Sequence, residues 1–283
     1  MAAAVDVLIP TYRRPAALAV TLACLVGQTF RDFRVVIADQ SGDVADGSLS
    51  APEFEAAVRV LRLQGHEVEI NRRVVRAGMA EQRQFLLDRA EAPFALFLDD
   101  DVILEPWVIE RLLATVREHG CGFAGSALIG PNFEGRSFDD EAHLFEVWVG
   151  RVRPETVLPG TREWARYTLH SAANLLHLQR RLGLGSGDRV VYKVAWVGGC
   201  VLFDRRKLEA CGGYGFWRRL PPDHCGEDAL AQLRVMARYG GCGILPSGAY
   251  HQELATTLPE RRHNAPVLLE GLIPARASNS PAS

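Results

Sequence analysis

The chain has 283 residues, 48% hydrophobic and 23% charged, with a formal net charge of −2. That is ordinary for a globular protein, and long enough for one large domain or a domain with an insertion. A nucleic-acid partner held by bulk charge is excluded by this balance, although a local basic patch is left open.

The start, "MAAAVDVLIPTYRR", enters a strand-like run with no basic start or long apolar core, so no secretory leader is expected. No apolar run reaches the ~20 residues of a bilayer span. Cys24, Cys121, Cys200, Cys211, Cys225 and Cys242 are scattered and include no C-x-x-C pair. That spacing argues against a zinc site or a disulfide framework and suits thiols in a reducing compartment.

The apolar run Val5 to Pro10 predicts a first strand, and Pro15 to Val26 a helix with its proline in the first turn. "FRVVIAD", Phe33 to Asp39, predicts a second buried strand. "VRVLRL" (Val58 to Leu63) and "EVEI" compete for the third. Ala77 to Ala90 reads as a helix, "FALFLD" as a strand, and Pro106 to His119 as an amphipathic helix. Short strands alternating with helices predict an α/β fold, with a mostly parallel central sheet covered by helices on both faces. In such sheets ligands bind beyond the carboxyl ends of the strands. "PTYRR", "ADQSGD" and "DDD" follow three predicted strands and would converge on one edge.

The middle, Pro131 to Lys193, is less regular. A helix is predicted from Thr161 to Gly183, facing the core, a partner or a membrane surface. "YKVAWVGGCVLFD", Tyr192 to Asp204, reads as a strand. A glycine-rich bend, the polar loop "WRRLPPDHCGED", the helix "ALAQLRVMARYG" and the strand "CGILPSGAYHQE" follow. Residues 273–283 read as a disordered tail.

Asp99, Asp100 and Asp101 stand at the end of an apolar strand. Alternate carboxylates there can turn toward one ligand, and hard cations such as magnesium and manganese prefer oxygen donors. A solvated acidic loop or a helix N-terminus is the plainer alternative.

The segments "VLIPTYRRP", "VVIADQSGD", "RAGMAEQR", "FLDDDVILEP" and "GED", with "GAYHQE" in support, run in order from Val7 to Glu253. Together they resemble the family 2 glycosyltransferases of the GT-A fold. The resemblance implies a nucleotide-sugar-binding half at 1–125 and an acceptor-binding, catalytic half at 126–272 of the same domain. Pro10, Thr11 and Tyr12 would line the base and ribose pocket, Arg14 would lie near the phosphates, and Asp39 would bind the base. Gly78 would let a ligand approach a helix start, and Arg76 and Arg83 would meet the diphosphate; a solvated basic helix face is the alternative. Asp101, with His251, would hold a divalent metal, manganese or magnesium. Asp99 would face the ribose or donor sugar, and Asp100 would support either role. Asp228 would be the general base of an inverting transfer, with Glu227 binding acceptor or orienting the loop. Simple capping of a helix N-terminus would also explain this pair.

Gly198 and Gly199 would admit the donor sugar or merely kink a strand. Trp196 and Trp217 would stack on sugars or pack in the core. Arg218, Arg219 and His224 would recognise an acidic or phosphorylated acceptor or be solvated.

The expected donor is a UDP- or GDP-type sugar, and the acceptor a glycan, a lipid-linked molecule or a small molecule. The expected location is the cytoplasm, with peripheral contact at the inner face of the membrane through residues 161–183 as a further option. Two other functions stay open: a nucleotidyltransferase, although a glycine-rich loop after the first strand is lacking, and an inactive nucleotide-sugar or glycan-binding protein.

Overall fold

The computed structural model describes residues 3–42, 49–73, 77–130, 139–170, 172–255 and 261–275. The chain opens with β1 (Val5–Thr11), α1 (Pro15–Val26), β2 (Phe33–Asp39), α2 (Pro52–Leu63), β3 (Val68–Arg72), α3 (Met79–Asp88) and β4 (Phe94–Leu98). It continues through β5 (Val102–Leu104), α4 (Val108–His119), β6 (Phe123–Gly125), α5 (Ala172–Arg181), β7 (Val190–Tyr192) and β8 (Cys200–Asp204). Then come α6 (Arg205–Ala210), α7 (Glu227–Tyr239), β9 (Gly241–Leu245), β10 (Ala249–His251) and α8 (Ala265–Leu268).

Among the described residues the central sheet has eight strands, ordered β3-β2-β1-β4-β8-β6-β9-β7. Strands β3, β2, β1 and β4 are mutually parallel; β8 is antiparallel to both its neighbours, and β7 is antiparallel to β9. The mostly parallel α/β fold is therefore present. Strands from both halves of the chain join one sheet. β5 and β10 form a separate antiparallel pair.

Successive side chains along a strand point to opposite faces, so a doubly covered strand must be apolar throughout. All seven residues of β1 and of β2 are buried. Val7, Ile9, Val35 and Ile37 pack on the face covered by α1, α2 and α4, while Leu8 and Val36 pack on the face covered by α3 and α7. The buried charge in β1 is matched: Asp6 pairs in register with Arg34 on β2 and accepts from its Nε at 2.9 Å. The amides of Glu91 and Ala92 complete the carboxylate.

Three expected elements and the start of the tail are revised, and the choice for the third strand is settled. "VRVLRL" lies in α2, and "EVEI" supplies β3. Pro52 starts that helix, and Phe54, Val58 and Leu61 recur at helical spacing on its buried side. "YKVAWVGGCVLFD" divides into the end of β7 and all of β8, because Gly199 adopts φ 75° between them. "CGILPSGAYHQE" likewise divides into β9 and β10, which belong to different sheets. The helix expected over 161–183 is a 3₁₀ segment, Trp164–His170, and the separate α5. The expected tail begins late: Ile273 is buried and Pro274 O accepts from Thr156 Oγ1, whereas 276–283 lie outside the described residues.

All six cysteines are free thiols. No described helix is long and apolar enough to cross a membrane.

Candidate active site

The carboxyl ends of β1 and β4 open into a cleft of about 610 Å³. Pro10, Thr11, Tyr12, Arg14 and the three aspartates line one part of it; Trp164, Trp196, Gly198, Glu227 and Asp228 line another. The aspartate turn is fixed from below by Thr21 of α1, whose hydroxyl donates to Asp100 O at 2.9 Å and accepts from Val102 N at 3.1 Å. Helix α7 brings Asp228 in its first turn, after Gly226 at φ 74°. The Asp228 carboxylate accepts from the Ala229 amide at 2.8 Å.

Each aspartate has a different partner. Thr11 Oγ1 donates to Asp100 Oδ2 at 2.6 Å. Arg14 Nη1 lies 2.7 Å from Asp101 Oδ2, and its other terminal nitrogen donates to Ala255 O. His251 Nε2 stands 3.4 Å from the same Asp101 oxygen. That proximity follows from register: β10 pairs antiparallel with β5, setting His251 opposite Val102. Asp99 accepts from Arg83 Nη2 at 2.9 Å.

Arg83 is almost fully enclosed and also donates through Nε to Glu227 at 3.0 Å. The guanidinium thus ties the β4 turn to the start of α7. Its acidic neighbours raise its pKa despite burial. Burial pushes the Asp100 carboxyl up to about 7, against the lowering bond from Thr11. Asp101 is raised by burial and by Asp99. Asp228 is pushed up to about 7 by burial and by Glu227, with Arg83 opposing.

Asp39 and Gly78 are among the expected residues that stand apart from the cleft lining. Asp39, at the end of β2, is paired in register with Thr11 and accepts from the Ser41 amide at 2.9 Å and from the Ser41 hydroxyl. Gly78 has φ 97°, and a Cβ there would stand 2.5 Å from His224 Cε1 and 2.8 Å from Pro222 O. The space beside Gly78 is thus filled by protein. Arg76 and Asp43 lie outside the described residues.

His224 is buried, not presented to an acceptor: Nε2 accepts from the Ala80 amide at 3.0 Å and Nδ1 donates to Pro221 O at 2.7 Å. Burial holds its pKa low. Trp217 packs against the core with Arg218 over its ring and does not line the cleft. Arg218 and Arg219 are exposed and likewise outside the lining.

Gly198 and Gly199 bridge the two parts of the site. A Cβ on Gly198 would stand 3.9 Å from Asp228 Oδ2, and one on Gly199 would stand 3.3 Å from Asp99 Oδ2. Gly199 would also strike Leu128 at 2.4 Å, so it serves the strand kink.

Sequence reasoning missed Trp164, Arg261 and Asn264 in the lining and Gln232 behind it. Gln232 alone carries a local signal, since it stands one helical turn after Asp228.

Comparison with solved structures places this architecture. S. aureus TarS 1–349 in complex with UDP-GlcNAc superposes with TM-score 0.57 and 18% identity, over 90% of this chain and 60% of that one. The mannosyltransferase PcManGT from Pyrobaculum calidifontis, in complex with GDP-Man and Mn2+, gives TM-score 0.52 and 16% identity, over 86% of this chain and 57% of that one. Full TarS is covered to 36%. The chain therefore spans well under two thirds of these proteins, and likeness at this identity establishes a shared GT-A fold. No curated protein sequence matches the chain. The sequence profile described as Glycosyl transferase family 2 matches residues 6–158, more than half of the chain. The chain belongs to glycosyl transferase family 2.

Proposed function

We propose that this chain moves a sugar from a nucleoside diphosphate sugar to an acceptor hydroxyl, with inversion at the anomeric carbon. One observation carries the reading: Asp228 and the Asp99–Asp101 turn share one cleft, with Gly198 and Gly199 between them. An inverting displacement needs a base on the acceptor side and charge compensation on the leaving-group side.

Asp228 takes the proton of the acceptor hydroxyl as its oxygen attacks the anomeric carbon. The bonding pair of the departing group goes to the diphosphate oxygen. A carboxyl held near pH 7 is suited to this work, because it is substantially ionised at neutrality yet accepts a proton readily. Glu227 takes no proton in this scheme; through Arg83 it fixes the loop. Pro10, Thr11 and Tyr12 hold base and ribose, and Arg14 meets the phosphates. Arg83 is committed to Asp99 and Glu227, so its role is to brace the two acidic segments.

Asp101 and His251 would hold a divalent cation of the magnesium or manganese type. One carboxylate and one imidazole suit an ion whose other positions are filled by diphosphate oxygens and water. Among the described residues no group of three or more ligand-type side chains is arranged to hold a metal. When bound, such an ion neutralises charge on the departing diphosphate. The Mn2+ and GDP-Man of PcManGT and the UDP-GlcNAc of TarS support a donor of this class.

The test is a panel of UDP- and GDP-sugars, with and without manganese, followed by thermal shift and product NMR. Release of a nucleoside diphosphate with an inverted anomeric centre is expected. Release of pyrophosphate, or full activity of Asp228→Asn, would overturn the reading.

A further inference from the structure

We propose that Trp164 and Trp196, buttressed by Tyr167, form a stacking platform for the acceptor, and that the acceptor is a neutral pyranoside ring. This inference rests on the glycosyltransferase reading of the same cleft.

Trp164 and Trp196 both line the cleft with Asp228. Their ring centroids are 4.6 Å apart, and Tyr167 stacks on Trp196 at 5.0 Å and 16°. Three interlocked rings lose little freedom when a ligand lands on them, so binding is not offset by ordering of the wall.

The platform is tied to the base. Trp196 lies two residues before Gly198, whose Cβ position is 3.9 Å from Asp228 Oδ2. Gln232, one turn along α7 from Asp228, receives the Val197 amide at 2.8 Å and donates to Val197 O at 2.7 Å. Both backbone groups between the platform and the glycines are thus clamped by the helix that carries the base. A ring stacked there keeps a fixed distance to the proton acceptor, as orientation for attack requires.

The lining selects the ring chemistry. A pyranose presents an apolar C–H face to an aromatic wall and a rim of hydroxyls to polar groups. Asn264 belongs to the same lining, and its buried Oδ1 has no hydrogen-bond partner among the described residues. A ligand hydroxyl would satisfy it. Arg83 compensates Asp99 and Glu227, and Arg261 is a further cation in the lining, so the carboxylate that opposes a phosphate close to the base is Asp228 itself.

The experiment uses the full chain with a bound donor and methyl pyranosides as acceptors. In wild type, saturation-transfer NMR should show ring C–H protons of the acceptor against the protein. Trp196→Ala and Trp164→Ala should each raise acceptor KM about tenfold, as expected for one lost stacking contact. Trp196→Phe should recover part of that loss and guards against a folding defect. Donor Kd by calorimetry should stay within about twofold, since the platform serves the acceptor. Unchanged acceptor KM in both alanine variants overturns the platform. Transfer confined to phenols, phosphorylated acceptors or lipid-linked acceptors overturns the pyranoside assignment. Absence of donor binding in wild type overturns the glycosyltransferase reading with it, whereas donor binding with an unmoved KM overturns the platform alone.

Discussion

Arg83 Nε lies 3.0 Å from Glu227 Oε1, joining residues 144 positions apart. The same guanidinium holds Asp99, so one buried cation serves both acidic segments of the cleft. Removing one partner of such a network leaves uncompensated charge, at a cost of about 3–5 kcal/mol. Arg83→Met should therefore lower stability by about that amount in chemical denaturation at pH 8. Arg83→Lys keeps the charge but not the fork, and should fall between the two.

Asp228→Asn should lower the transfer rate by roughly 10²–10⁴-fold, the usual range for a lost general base. The same change should stabilise the fold at pH 8. The native carboxyl is raised from 3.8 to about 7, so the unfolded chain ionises first as pH rises. Native stability therefore falls across that window, and the whole penalty is present above about pH 7. Asn carries no such penalty. Denaturation at pH 5 and pH 8 should show a smaller pH-dependent loss in the variant than in wild type.

The rate should rise with pH through an apparent pKa near 7, because the base must be ionised to take the acceptor proton. Glu227 is a main cause of that high value. Glu227→Gln removes its repulsion and should move the rising limb to lower pH. A kcat/KM profile from pH 5 to 9 checks both statements, provided chemistry limits the rate.

Arg14 and a divalent cation would share the Asp101 Oδ2 atom. Charge-assisted hydrogen bonds contribute about 1.5–3 kcal/mol, so displacing Arg14 weakens metal binding by roughly tenfold or more. Arg14→Gln should bind Mn2+ more tightly than wild type, and His251→Ala more weakly. Calorimetric titration with manganese alone reads both without turnover.

Gly78→Ala should destabilise the fold by about 1–3 kcal/mol, the range for overpacking a closed site. Its backbone has φ 97°, and the new methyl would meet His224 and Pro222 O inside contact distance. A falling midpoint with an unchanged denaturant slope checks this.

How much was legible in the sequence differs by element. β1, α1 and β2 are readable because each carries its own signal: an unbroken buried run, a first-turn proline and helical spacing. "VRVLRL" misleads because a short β-branched run is ambiguous until Pro52 and Phe54 extend it into a helix. "YKVAWVGGCVLFD" misleads because its apolar run hides the break at two glycines. Asp228 and the three aspartates are legible as candidates by residue type and by place in the element order.

The sequence by itself determined the strands β1, β2 and β4 and their polar ends, because these follow from local periodicity. Tertiary structure alone decided the partners. His251 reaches Asp101 through the β5–β10 pairing, Arg83 turns to Asp99 and Glu227, and Gln232 clamps Val197 beside the base. Tertiary structure also took His224 and Trp217 out of the cleft and put Trp164 into it. Such contacts join residues far apart in the chain, and no local pattern of charge or hydrophobicity encodes which distant group will fill a given hydrogen bond.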